Sequence, residues 1–376
     1  MAEDRIDPVI VRSQNSFCVK TFQAIYAQKE GPNVFFAPLG PGTFLRFLLP
    51  FVKNSVQETL VNFLETGNRP ADEIANRSAG LWIISQNKQN EEIENYSPMT
   101  VLGNAHVQFS PDFTGRSSFY KILPRSYDLT LNWMENSLQD WVKSGSNNKI
   151  SEVTRYFDKT SQLVFLNGFY FKGGWSSRFE IISEGSFKNA DGKDEKIPML
   201  ASAGVFQFYK DDNFEAVNIP YGTGLYSLYI FLPSDKIVIS DFIKNLTEAK
   251  LSEWAGGFLE RRGSVVFPQF SLESNIDLRE TFKNLGLKNL FIPETNLFLI
   301  AKAPGGVFWG SMEQKAVFQT DAKTVANPSP NLPEIDASAE KDSFNFKASR
   351  PFFFILRNNK TRVITGIGAV ENPSAR

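Results

Sequence analysis

Residues 163–172 constrain the fold of this chain more than any other segment. Of these ten residues only Lys172 is charged, and apolar side chains occupy both faces of an extended backbone. A strand that is apolar on both faces belongs in the middle of a sheet, with layers packed above and below it. Asn167 interrupts the segment, and a buried amide needs hydrogen-bond partners. We therefore expect Asn167 to lie in a polar network or at a special junction of the sheet.

Short strands and helices are mixed along the rest of the chain, without a Pro- or Gly-rich linker near its midpoint. This mixture predicts a single α+β domain that spans residues 1–376. Residues 101–109 alternate in polarity, which predicts one long strand that carries His106. The other predicted strands cover 34–36, 205–209, 216–219, 225–232, 264–270, 316–320, 351–356 and 362–370, and the predicted helices cover 14–28, 43–51, 57–64, 138–142, 240–246, 247–255 and 278–285.

Charge balance and two scarce residue types exclude several classes of function. The chain has 40 Lys and Arg against 41 Asp and Glu, so no basic field exists to attract nucleic acid or a membrane surface. A single Cys18 excludes an internal disulfide, and a single His106 excludes metal sites that need two histidines. No G-x-S-x-G motif accompanies His106. We therefore expect no enzymatic activity, no metal and no cofactor.

The amino-terminal residues leave two cellular locations open. Asp and Glu stand where a signal peptide carries cations, so the chain is either intracellular or a mature form from which a signal was removed. Acceptor patterns for N-glycosylation stand at Asn76, Asn95, Asn245 and Asn359. So short a pattern recurs by chance, and it is weak support for secretion.

Residues 321–343 differ from the segments around them. They contain no aromatic residue, and prolines stand at positions 328, 330 and 333. Strand-like segments flank them on both sides. A segment of this length without regular structure inside a compact domain is typical of a functional loop. We therefore expect a long exposed loop that projects from a rigid body.

A series of short motifs in order along the chain resembles the serpin family over essentially the whole length. The motifs lie at 33–38, 141–142, 148–150, 163–175, 219–221, 228–233, 267–270, 277–278, 285–287, 346–353 and 366–373. The resemblance implies a single-domain serpin fold with three β-sheets, eight or nine helices and an exposed reactive-centre loop at about residues 322–343. It also implies a protease as the partner, a monomer, and an extracellular location, although an intracellular one stays open.

The resemblance places the loop hinge in seven consecutive residues, namely Ala322, Lys323, Thr324, Val325, Ala326, Asn327 and Pro328. Serpins that trap proteases usually carry acidic residues, Gly, a small hydroxyl residue and a run of alanines there. After cleavage they insert this segment into the largest sheet as a new central strand. Proline donates no backbone hydrogen bond and is confined to sheet edges. Each unpaired buried group costs about 1–3 kcal/mol, so the prolines and asparagines of 327–333 oppose insertion.

A second departure from the family pattern concerns the sheet junction. Where serpins carry two serines after the early strand, this chain has Ala37 and Gly40, and where they carry a His before Lys315 it has Gln314. Asn167 keeps its place. Two interpretations stay open. Either Gln314 bonds Asn167 in a repaired local network, or the junction lacks the chemistry for opening because it no longer opens.

Two functions are compatible with these residues. The first is a serpin-type endopeptidase inhibitor that presents its loop to a serine or papain-like cysteine protease and acts reversibly or as a substrate, without covalent trapping. Counting from the hinge and back from Pro351 brackets the reactive bond at Ser338, Ala339, Glu340 and Lys341. Lys341 suits a trypsin-like or cathepsin-like cleft, and Ala337 or Ala339 an elastase-like one. The alternative is a non-inhibitory serpin with a binding, storage or chaperone role.

Overall fold

The structure is a computed structural model of the chain, and it describes residues 6–86, 93–131, 133–152, 160–293, 297–329 and 343–375. Nine α-helices lie in these ranges: α1 (Pro8–Ala27), α2 (Leu39–Leu48), α3 (Asn54–Leu64), α4 (Ala71–Ser85), α5 (Pro111–Ser117), α6 (Trp133–Gly145), α7 (Ile239–Lys244), α8 (Glu248–Gly257) and α9 (Leu278–Asn284).

The strands of the same part of the chain are β1 (Val34–Phe36), β2 (Ile93–Tyr96), β3 (Met99–Asn104), β4 (Gln108–Phe109), β5 (Arg125–Tyr127), β6 (Leu163–Gly173), β7 (Trp175–Ser177), β8 (Glu180–Lys188), β9 (Asp194–Lys210), β10 (Phe214–Tyr221), β11 (Tyr226–Pro233), β12 (Leu259–Pro268), β13 (Ser271–Asp277), β14 (Ala301–Lys302), β15 (Trp309–Gln319), β16 (Thr324–Ser329), β17 (Phe344–Lys347), β18 (Phe352–Asn358) and β19 (Ile364–Val370).

These strands form three sheets within the described residues. The largest has eleven strands, and its main path runs β1-β19-β18-β11-β10-β9-β12-β17, with β7, β8 and β16 attached at its side. The second has six strands in the order β13-β15-β6-β3-β5, with β2 also paired to β6, and β4 pairs with β14 in the third. The mixture of helices and three sheets confirms the predicted α+β class.

Strand β6 lies in the interior of the six-stranded sheet, as its sequence predicts. β15 pairs with it in parallel along one side, and β2 and β3 pair with it antiparallel along the other. On one face, Val164 and Leu166 share a buried apolar cluster with Met134 of α6. On the other face, Phe165 stacks on Phe44 of α2 with 4.0 Å between the ring centroids. Helices therefore cover both faces of this strand with apolar side chains.

Capping residues explain where two of the helices begin. The Asp7 side chain accepts a hydrogen bond from the Val9 N–H at 2.9 Å, and Pro8 occupies the first turn of α1. Ser110 and Pro111 repeat this arrangement at the start of α5. A side chain that accepts from the first free N–H groups, followed by a proline that has none, is a strong helix start.

The structure does not contain the single long strand predicted at 101–109. β3 ends at Asn104, where a tight turn follows, because the Val107 N–H donates to Asn104 O at 2.8 Å. The Asn104 side chain strengthens the turn by accepting from the Ala105 N–H at 2.7 Å. His106 is exposed in this turn, and the prediction of a strand histidine is wrong. The alternation in polarity came from a strand, a turn and the two-residue strand β4.

The structure also refines the loop predicted at 321–343. The backbone of Thr324–Ser329 is a strand, β16, that pairs in parallel with β7. Residues 330–342 lie outside the described residues. β17 begins at Phe344 and pairs in parallel with β12.

Candidate functional site

The sheet junction lies where the chain leaves β1 beside the paired strands β6 and β15. Gln314 of β15 and Asn167 of β6 are register partners. Gln314 Nε2 donates to Asn167 Oδ1 and to Ala37 O, each at 2.7 Å, and Gln314 Oε1 accepts from the Ala37 N–H at 3.0 Å. All three residues are buried. One side chain thus joins three chain segments, which is the geometry that the repaired-network interpretation requires. Whether the junction opens stays a prediction.

Gly40, the fourth junction residue, lies directly against Asn167. A Cβ atom built on Gly40 would lie 2.8 Å from Asn167 Oδ1, which is closer than Cβ atoms approach other heavy atoms. Asn167 Nδ2 donates to the backbone oxygens of Pro98 and Gly168 at 3.0 and 2.9 Å. These bonds fix the position of the Asn167 amide beside Gly40. The junction is packed so closely that a serine at position 40 requires Asn167 to move.

The hinge is attached to the sheets before the loop leaves them. Trp175 Nε1 donates to Asp321 O at 2.6 Å, and Lys172 Nζ lies 2.7 Å from Asp321 Oδ2. The Lys323 N–H donates to Asp321 Oδ1 at 2.8 Å, and Lys323 O accepts from the Trp175 N–H at 2.9 Å. Ala322 packs against the apolar cluster beneath. We call these contacts of Asp321 with Lys172 and Trp175 the hinge anchor.

The later hinge residues, Thr324, Val325, Ala326, Asn327 and Pro328, lie in β16. Thr324 is opposite Trp175 and Ser329 is opposite Ser177, with a shift of register between the two pairs. Within the described residues β7 is the one strand that pairs with β16. Proline is tolerated in edge strands and at irregular register, because no ladder hydrogen bond is required of it there. The position of Pro328 in β16 satisfies this rule.

The Trp175 side chain forms a rigid support under the hinge. Its ring stacks on Tyr221 with 4.1 Å between the centroids and meets Phe267 edge-on at 5.6 Å. The three side chains are completely buried. Burial raises the pKa of the Tyr221 hydroxyl far above its ordinary value, so the support stays uncharged. The hinge therefore starts at a fully buried aromatic cluster.

The predicted reactive-bond residues Ser338, Ala339, Glu340 and Lys341 lie outside the described residues. Their assignment stays a prediction. The structure brings together the four junction residues and places all seven hinge residues along one continuous path from β15 to β16.

The hinge anchor was missed from the sequence. The parallel pairing of β6 with β15 puts Lys172 opposite Gln319, two residues before Asp321. Opposite charges at the ends of two neighbouring strands were the available signal. It depends on knowing the register of the two strands, which is a tertiary property.

The four predicted glycosylation acceptors differ in exposure. Asn76 and Asn245 are exposed, and Asn359 is half-buried. Asn95 is buried, and its Nδ2 donates to the Tyr226 hydroxyl at 2.9 Å. A glycan attaches to Nδ2 of asparagine, so the folded chain does not offer Asn95 for modification.

The described residues offer neither a metal site nor a helix that could span a membrane. They contain no cluster of three or more His, Cys, Asp or Glu side chains that would hold a metal ion. In the same ranges, no helix is both long enough and apolar enough to cross a membrane. Cys18 is buried and forms no disulfide.

Comparisons with known proteins agree with this geometry. The sequence profile of the family described as Serpin (serine protease inhibitor) matches residues 12–373. Plasminogen activator inhibitor 1 from Sus scrofa is 26% identical, over 96% of this chain and 92% of that protein. Neuroserpin from Homo sapiens is 23% identical, over 94% of this chain and 90% of that protein.

Solved structures agree at the level of the fold. Native protease nexin-1 with heparin superposes with a TM-score of 0.86 at 20% identity, covering 98% of this chain and 100% of that one. The native state of the thermophilic serpin tengpin gives 0.85 at 19% identity, covering 98% and 95%. The chain therefore belongs to the serpin family, whose members are mostly protease inhibitors and not enzymes.

Proposed function

We propose that this chain is an extracellular, monomeric serpin that offers residues 322–343 to a serine or papain-like cysteine protease. We further propose that it acts reversibly or as a substrate, without inserting its loop and without trapping the protease covalently. The observation that carries the proposal is the position of Pro328 in β16, a strand with one neighbour in the described residues.

An inserted loop would have to form backbone hydrogen bonds with two neighbouring strands, whereas β16 pairs with one in the described residues. β6 and β15 are direct neighbours, paired from Val164 and Ser311 to Lys172 and Gln319. A segment that turns back from β15 between them runs antiparallel to both, and each of its N–H groups must find a carbonyl on one side or the other.

The prolines in the sequence cannot form these hydrogen bonds, because proline has no backbone N–H group. Alternate residues of a strand point their N–H groups to the same neighbour, so prolines at 328 and 330 leave two carbonyls of one strand unpaired. The proline at 333 leaves one carbonyl of the other strand unpaired. At about 1–3 kcal/mol for each orphaned group, the three prolines oppose insertion by several kcal/mol.

The side chains oppose insertion as well. The faces of β6 and β15 contact apolar layers, with Met134 and Leu138 of α6 on one side and Phe35 and Phe44 on the other. In one of the two alternating sets of an inserted 325–333 segment, the sequence supplies two asparagines and a serine. Buried amides without partners cost free energy in such a layer.

The proposal is tested by incubating the chain with trypsin, pancreatic elastase and a papain-like cathepsin at increasing molar ratios. We expect protease activity to fall near a one-to-one ratio and to recover on dilution, with no adduct that survives a denaturing gel. A heat-resistant adduct overturns the mechanism. Clean cleavage at 338–341 with full protease activity overturns reversible inhibition, shows that the loop is only a substrate, and supports the non-inhibitory alternative.

A matched pair of variants identifies the contact. Lys341→Ala removes the basic residue of the bracketed bond, and Lys236→Ala removes an exposed lysine between β11 and α7. We expect the first variant to lose inhibition of trypsin and the second to retain it. Equal inhibition by both variants contradicts the assignment of Lys341.

A further inference from the structure

A cleft lies between α6 and the strands β3 and β5, away from the hinge. Its volume is about 330 Å³, which falls in the ~300–1,000 Å³ range of clefts that hold small ligands. Helix and strands supply its walls from three separate parts of the chain. Neither the hinge anchor nor the junction contributes a residue to it.

The inner wall of this cleft is apolar. Leu102 of β3 and Met134 and Leu138 of α6 line it, and all three belong to the buried cluster between helix and sheet. Its mouth is apolar too, because Trp133 and Leu123 are 47% and 59% exposed. Large apolar side chains left in water beside an apolar cleft indicate a binding surface.

The lining of the cleft also carries two cations. Lys121 and Arg125 line it and are exposed, and its described lining contains no Asp or Glu. Neither cation has a carboxylate partner among the described residues. In a chain whose charges nearly cancel overall, this is a local concentration of positive charge beside an apolar wall.

We propose that this cleft binds an amphipathic monocarboxylate, such as a medium-chain fatty acid. The chain of the ligand lies along Leu102, Met134 and Leu138, and its carboxylate lies between Lys121 and Arg125. Burial of the hydrocarbon supplies most of the affinity, and the two cations select the acid over the neutral alcohol. The proposal does not involve the reactive-centre loop, so it is tested independently of the inhibitor proposal.

Tryptophan fluorescence offers a direct test, since Trp133 and Trp141 both line the cleft. Dodecanoate that carries a terminal bromine quenches indoles within contact distance. We expect saturable quenching below the micellar concentration, reversed by unlabelled dodecanoate. In the Trp133→Phe/Trp141→Phe variant the saturable part should vanish, although four tryptophans remain elsewhere. Saturable quenching that persists in this variant places the ligand elsewhere and overturns the proposal.

Charge variants test the assigned orientation. Lys121→Glu/Arg125→Glu should raise the dissociation constant for dodecanoate about tenfold or more and leave that for dodecanol unchanged. Lys236→Glu is the matched control, and it should change neither. All these positions are exposed, so the variants should melt close to the wild type. Equal affinity of the wild type for acid and alcohol overturns the ionic part.

A filled cleft gives an independent check. Ser137 of α6 is exposed and lines the cleft, and Ser137→Leu places apolar volume where the ligand chain would lie. We expect this variant to lose saturable dodecanoate binding while its melting temperature stays within a few degrees of the wild type. Unchanged dodecanoate binding contradicts the proposed position of the ligand. If the cleft binds a protein partner and no fatty acid, the proposed class of ligand is wrong.

Discussion

Strands β6 and β16 are both extended segments beside the same hinge anchor, but they differ in the number of neighbouring strands with which they pair. β6 has neighbours on both sides, and ten of its eleven residues are buried. β16 has one neighbour in the described residues, and it contains Pro328. An interior strand must supply every N–H group and two apolar faces, whereas an edge strand needs only the N–H groups that face its one neighbour. β16 is therefore suited to its position beside β7 and unsuited to a position beside β6.

We expect the largest effect, a change in melting temperature, when the loop is cut and the hinge could insert between β6 and β15. The wild-type chain nicked between 338 and 341 should change its melting temperature by less than about 3 °C, because the prolines oppose insertion. A variant with Asn327→Ala and alanine at positions 328, 330 and 333 should gain on the order of 10 °C after the same nick. Differential scanning calorimetry before and after proteolysis measures both changes.

The control for this comparison is Pro304→Ala, which removes an exposed proline from the turn after β14. Its nicked form should behave like the nicked wild type. A large gain in melting temperature of the nicked wild type contradicts the conclusion that the prolines prevent insertion. A structure of the cut chain with 325–335 between β6 and β15 contradicts it as well.

The second effect concerns what holds β6 and β15 together. Gln314→Ala leaves the Ala37 N–H and carbonyl and Asn167 Oδ1 without their partner. Leaving several buried groups unsatisfied should reduce the free energy of unfolding by about 3 kcal/mol in urea titrations. Gln108→Ala, at an exposed position, should cost less than about 0.5 kcal/mol. A cost below about 1 kcal/mol for Gln314→Ala means that the junction is not locked by this side chain.

The two strands also differ in how far their sequence reveals their position. β6 is predictable because both of its faces are apolar, and this property is local. β16 is not, since its pairing with β7 depends on where the eleven-stranded sheet places Trp175. The prolines predict where the segment does not belong, but they do not identify its actual neighbour.

Other misses have the same physical origin. β8 was not predicted because Ile181 and Ile182, adjacent on an edge strand, are both exposed and give no alternation. α5 is short, and its signal lay in Ser110 and Pro111 rather than in apolar spacing. His106 was placed in a strand because a turn closed by Asn104 preserved the alternation of polarity. Tertiary pairing and turn chemistry overrode the periodic pattern in these places.

The third effect is pH-dependent. Tyr170 of β6 donates its hydroxyl proton to Gln319 Oε1 of β15 at 2.9 Å. Burial, with smaller contributions from Glu94 and Asp321, raises the pKa of Tyr170 from 10.0 to about 12. Because the folded value lies above the unfolded one, the stabilisation is complete below about pH 10 and is lost as pH rises through about 12.

Tyr170→Phe should therefore lower stability by about 1 kcal/mol at neutral pH and should flatten the fall in stability between pH 10 and 12. Urea titrations at a series of pH values measure this. Tyr127→Phe, at a half-buried position on β5, is the matched control and should leave the slope unchanged. If stability falls between pH 10 and 12 as steeply in Tyr170→Phe as in the wild type, the Tyr170 hydroxyl does not help to hold β6 to β15.

The smallest effect is expected from the charge in the hinge anchor. Asp321→Asn removes the ion pair with Lys172, whose side chain is 31% exposed, but keeps an oxygen for the Lys323 N–H and leaves the Trp175 bond to the backbone. A partly exposed pair is worth about 0.5 kcal/mol, and salt should screen it. Lys172→Gln should cost the same amount. If Asp321→Asn instead costs more than about 2 kcal/mol, undiminished by salt, the start of β16 is held to the sheet by charge. In that case the ion pair, and not the tolerance of an edge strand for proline, would explain why β16 lies beside β7.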